Sequence, residues 1–149
     1  MTETKAKALA AAIAGEVVRT TPRSRSWGVA LTRQDGRYAL IEEDAGTVHL
    51  DEHACRDGHH NHGSDPEGDI TAEEWGDWAC TEAWATGLAR LIGGEAYHSG
   101  GNIWLVFYHR KDGRFALIGD TGAEIYASEE HYRDYRETQE GEPEAFIWG

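Results

Sequence analysis

The stretch WGVALTRQDGRYALI at residues 27–41 returns, without a gap, as WLVFYHRKDGRFALI at residues 104–118. Each has the outline of a β-hairpin. Val29 and Leu31 alternate with Ala30 and Thr32, Asp35-Gly36 marks a tight turn, and Tyr38 to Ile41 returns. The twin runs from Trp104 to His109, through Asp112-Gly113, and back along Phe115 to Ile118. Two-residue type I′ turns would set Leu31 opposite Leu40 and Arg33 across from Tyr38, as Arg110 from Phe115. A cation over a ring then closes each hairpin end, worth about 0.5 kcal/mol when exposed.

Outward from the hairpins the same offset of 77 persists, and from Trp27/Trp104 to Ile70/Ile147 fifteen of 44 positions are identical. Chance does not hold one register over that length, so one structural unit is expected twice. A helix signal precedes each hairpin. Ala6, Leu9, Ala10 and Ile13 recur at spacings of three and four, and Ala85, Leu88, Ala89 and Ile92 repeat them at an offset of 79. The second helix reads as longer at its start, because Thr71-Ala72-Glu73-Glu74 has the form of a capping box. Short strands are expected at 16–20 and 95–98 before each hairpin, and at 47–50 and 124–127 after it. Residues 129–137 look helical with Ser128 as cap. One helix on a three-stranded sheet is marginal alone. The expected fold is therefore α+β: a tandem duplication of a helix plus a three- to four-stranded antiparallel meander, residues 1–70 and 71–149, with two pseudo-symmetric halves sharing one core.

The chain of 149 residues can bury a core without staples. Its longest apolar run is far short of the roughly 20 residues of a membrane span, and no secretory signal is recognisable, which together predict a cytoplasmic protein that does not bind membranes. Cys55 and Cys80 are too few for a disulfide framework. The net charge of −13 is uneven: residues 1–41 carry seven bases and three acids, and residues 42–82 carry thirteen acids against Arg56 alone. Such a field repels nucleic acid and anionic lipid and attracts basic protein surfaces.

His49-Leu50-Asp51-Glu52-His53 fits the H-x-x-E-H zinc pattern, but that chemistry needs both histidines on one helical face, and His49 ends a strand signal. A looser soft-metal set, suited to zinc, is His49, His53, Cys55, His59 and His62. Were the segment helical like residues 129–139, Cys55, His59 and His62 would share one face. Gly58, Asn61, Gly63 and Ser64 favour a loop instead. No nucleophile elbow, phosphate loop or dinucleotide fingerprint is present, so a non-enzymatic protein is expected, with no cofactor.

Binding is the better-supported class. Trp75 and Trp78 stand beside Glu73, Glu74 and Asp77, and Glu42-Glu43-Asp44 forms a second acidic cluster. Tryptophan anchors interfaces, and acidic flanks steer a basic partner. The composition is similar to that of DNA-mimic inhibitors of the anti-restriction or anti-CRISPR type, often phage-borne, though no motif ties the chain to them. The expectation is an acidic inhibitor that blocks a nucleic-acid-handling protein, with a metal-binding protein as the alternative and a homodimer as a further possibility.

Overall fold

The computed structural model describes residues 1–19, 26–53, 55, 72–74, 78–138, 143 and 145–148. The first half runs α1 (Glu3–Ile13), β1 (Glu16–Arg19), β2 (Trp27–Thr32), β3 (Tyr38–Ile41), β4 (Ala45–His49) and β5 (Ala72–Glu74). The second runs α2 (Glu82–Ile92), β6 (Glu95–Gly100), β7 (Ile103–His109), β8 (Phe115–Ile118), β9 (Gly122–Tyr126), α3 (Glu129–Thr138) and β10 (Ala145–Trp148). Each half folds its strands, in sequence order, into a five-stranded antiparallel meander. The protein is α+β with two similar halves.

Equivalent residues do equivalent work in both. Thr2 and Thr81 cap α1 and α2, each hydroxyl accepting from an amide three residues on at 3.2 Å. Val29 pairs with Ile41 as Val106 does with Ile118, and Tyr38 with His49 as Phe115 with Tyr126. Trp27 and Trp104 both pack at the edge of the core.

Three sequence expectations change. The hairpin turns are longer by one residue, so Leu31 pairs with Ala39 and Thr32 with Tyr38. Arg33 N donates to Arg37 O at 2.7 Å, and Gly36 and Gly113 both sit at φ +88°, the left-handed residue that closes a three-residue loop. The shift by one turns each arginine to the other face of its sheet, away from the ring that was to receive it. Secondly, Ala72–Glu74 is a strand and not a helix start: Thr47 pairs with Ala72 and Ala45 with Glu74. Unpaired amides and carbonyls along β4 offer this segment a full ladder, where a capping box would satisfy two groups. Both principal helices consequently have 11 residues. The first sheet also extends past residue 70, and at its last strand the offset between halves drops from 77 to 74, so Ile147 answers Glu73 and not Ile70.

The helices interleave. α1 packs on β1 and β2 of its own sheet and on β8, β9 and β10 of the other, while α2 packs on β6 and β7 and on β3, β4 and β5. A helix touching two sheets must be apolar over more of its circumference than the usual single stripe. On α2 that surface is Trp84, Ala85, Gly87, Leu88, Ala89, Leu91 and Ile92. On α1 it is Ala6, Leu9, Ala10, Ala12 and Ile13, and one continuous core results. Fit is local: a Cβ on Gly46 would stand 2.4 Å from Leu91 Cδ1, so only glycine lets α2 approach β4 this closely.

Arginines complete the exchange. Arg33 Nη1 donates to Arg90 O at 2.9 Å, at the end of α2, and Arg110 Nη1 donates to Ala11 O at 3.1 Å, at the end of α1. Each half thus satisfies a terminal carbonyl of the other half's helix, where a cation also suits the helix dipole.

Candidate functional site

Of the residues expected to bind metal, the structure describes His49, His53 and Cys55. His49 is buried at the end of β4, with Nε2 2.8 Å from Thr47 Oγ1. Its counterpart Tyr126 makes the same contact two residues back along its own strand, donating to Glu124 Oε2 at 2.5 Å. Glu52, His53 and Cys55 lie in a helical turn in which the Cys55 amide reaches Asp51 O at 3.2 Å, just as Tyr132 N reaches Ser128 O at 3.1 Å. His53 is exposed and Cys55 is buried in the place Tyr132 takes in the second half. His59 and His62 lie outside the described residues. Among the described residues, no three of His, Cys, Asp and Glu stand close enough to share an ion.

Of the expected acidic and tryptophan surface, the structure describes Glu42, Glu43, Asp44, Glu73, Glu74 and Trp78. In the turn between β3 and β4, Asp44 is exposed and Glu42 half-buried. Glu43 is engaged at home, with Lys5 Nζ at 2.9 Å. Glu73 and Glu74 sit in β5, paired with Gly46 and Ala45, and Trp75 and Asp77 lie outside the described residues. Trp78 is half-buried, its ring 5.3 Å from that of Trp84 and capped by Lys5 Nζ at 4.4 Å. Its role is packing between the two helices.

A different surface is open, on the outer face of the second sheet. Alternation along β7 turns Trp104, Val106 and Tyr108 towards the helices and Ile103, Leu105 and Phe107 outward. Over one end of this face lies α3, which packs Tyr132 against Phe115 at 5.3 Å and Tyr126 at 5.2 Å. Ser128 caps it, accepting from His131 N at 3.1 Å. Burial first, and then the Glu124 carboxylate, pushes the Tyr126 phenol far above its ordinary value, so it remains a donor.

The other end of the face is less covered. Tyr97 stacks on Phe107 at 4.4 Å and lies across from Leu105, and Ile103 is 53% exposed. Leu105, Leu117, Gly119, Gly122 and Glu124 line a shallow groove of about 210 Å³. Glu95, beside Phe107, and Glu124, beside Leu117, place a carboxylate on either side. In the first half the positions of Leu105 and Phe107 hold Gly28 and Ala30, both buried. At these two positions the large outward apolar groups therefore belong to the second half only. Sequence reasoning missed them although the signal was there, in the replacement of small residues by Leu and Phe at a fixed offset.

Rings flanked by carboxylates suit a cationic side chain with an apolar stem. No protein-family model matches the chain, and no curated protein or solved structure matches it either.

Proposed function

We propose that the protein works by contact, as a non-enzymatic acidic protein that docks on a basic protein surface through the outer face of its second sheet. The partner class is a nucleic-acid-handling protein whose lysines and arginines normally meet phosphate, and the effect is to block it. The observation that carries this reading is the strip Tyr97, Ile103, Leu105 and Phe107, bordered by Glu95 and Glu124, on a chain of net charge −13. An Arg or Lys laid over Tyr97 would gain about 0.5–2 kcal/mol according to its desolvation. Long-range attraction would set the association rate. Cys55 and Cys80 are free thiols, which fits a cytoplasmic address. Among the described residues no helix is long and apolar enough to cross a membrane.

The test is affinity capture from the source cells, with bound proteins identified by mass spectrometry, at low salt and near one molar. Captured partners should be basic and should release as salt rises. Tyr97→Ser with Leu105→Ser should abolish capture, while Lys7→Gln, on the exposed face of α1, should leave it intact. A partner retained at high salt, or by the double variant, would remove the proposal.

A further inference from the structure

Where the two hairpin turns meet, the sign of the surface reverses. Gln34 Nε2 donates to His109 O at 2.9 Å, tying one turn to the other across the halves. The two turns, 33–37 and 110–114, together with Arg90 bring six bases against Asp35 and Asp112. Beside Arg33 lies a cleft of about 400 Å³ lined also by Gln34, Asp35, Gly93, Tyr108 and His109. On the other side of the same guanidinium a second cleft of about 400 Å³ adds Arg37 and Arg90.

Three polar groups at this junction have no hydrogen-bond partner among the described residues although all are buried: Arg33 Nε, Arg110 Nε and the Tyr108 hydroxyl. Tyr108 is 2% exposed. Burial pushes its phenol upward while Arg110 and Arg33 pull it down, so it feels both guanidiniums at once. The Nη groups are accounted for by helix carbonyls and by Asp35 at 3.0 Å and Asp112 at 2.8 Å. What remains is a set of donors, two of them charged. An unsatisfied buried donor is destabilising, and more so when charged. Tyr108 replaces Leu31 of the first half, so the hydroxyl is introduced into one half only, in the wall of the cleft beside Arg33.

We propose that the cleft beside Arg33 is a binding site for a small oxyanion of the phosphate type, held by Arg33 and Tyr108. The charged Nε–H of Arg33 suits an oxyanion, and a protonated phenol adds a neutral donor. The site lies apart from the outer face of the second sheet and stands whether or not that face docks a partner.

Thermal unfolding and titration calorimetry with inorganic phosphate, against sodium chloride at matched ionic strength, test it. At ten times its dissociation constant, phosphate should multiply the folded-to-unfolded ratio about eleven-fold, a Tm rise of about 3–5 °C. Tyr108→Phe should keep the fold, with Tm equal or higher, and bind phosphate about ten-fold more weakly. Arg33→Lys retains charge without the Nε donor and should weaken binding similarly, read by phosphorus NMR line broadening. Methyl phosphate in a parallel titration distinguishes a phosphoester from free phosphate; binding of either supports the site. A Tm shift that chloride reproduces, or equal phosphate binding by the parent and both variants, overturns it.

Discussion

The contact between Gly46 and Leu91 can be rebuilt by substitution, because the second half contains the alternative solution. There the equivalent positions are Ala123 and Ala12. Gly46→Ala alone puts a methyl 2.4 Å from Leu91 Cδ1 and 2.9 Å from the Leu40 carbonyl. Leu91 is fully buried and cannot swing away. Overpacking of this kind costs about 1–3 kcal/mol, of which roughly 0.5–1 is offset by the restricted backbone of alanine in a strand. Leu91→Ala alone removes a buried isobutyl group and should cost about 2–5 kcal/mol. Combined, the new methyl occupies part of the vacated space and only the Leu40 carbonyl remains close. The double variant should therefore lose about 1–2 kcal/mol less than the two single losses together. Urea unfolding followed by tryptophan fluorescence gives all four corners of the cycle, provided the m-value is constant across them. Additivity within about 0.5 kcal/mol would refute the close approach of α2 to β4 and with it the account of how this helix is seated.

Two further outcomes follow from backbone and charge. Ala14, which ends α1, has φ +58° where the second half has Gly93 at φ +77°, so Ala14→Gly should stabilise by about 1 kcal/mol and raise Tm by about 2–4 °C; a lower Tm would contradict a left-handed cap. Tyr108, Tyr126 and Tyr132 all have phenols raised by burial above the ordinary value of 10.0. Since the folded state holds their protons more tightly than the unfolded, their contribution is complete below pH 10 and is lost as pH rises through the folded values. Stability should fall steeply in that range, with tyrosinate absorbance appearing in step with unfolding; smooth titration of all six tyrosines in the folded protein would contradict their burial.

Much of this fold was legible because repeated periodicity is hard to mimic. Spacings of three and four placed α1 and α2, and alternation with Asp-Gly placed both hairpins. The turn length was not legible, since Asp-Gly serves two-residue and three-residue loops alike, and only the Arg33 to Arg37 bond decides. Nor was β5: three residues carry too little pattern to outweigh a capping signal, and their strand character comes from the edge of β4. The candidate surface was obscured for a different reason. Charged and metal-binding residue types carry the more conspicuous patterns in the sequence, whereas the structure distinguishes the halves by what lies at Leu105, Phe107 and Tyr97. Cys55 reads as a ligand from its type and as a core residue from its counterpart Tyr132. In the structure Cys55 is buried.

The interleaving of α1 with the distant strands governs when this chain can finish folding during synthesis. Each meander closes through neighbouring strands and can form as it emerges from the ribosome, but α1, made first, cannot be covered until β8, β9 and β10 exist. Until then the apolar face of the nascent first half stays uncovered, which is the condition under which chains aggregate or enlist chaperones. Moving α1 to the C-terminus by circular permutation should shorten that exposed interval without altering the finished molecule.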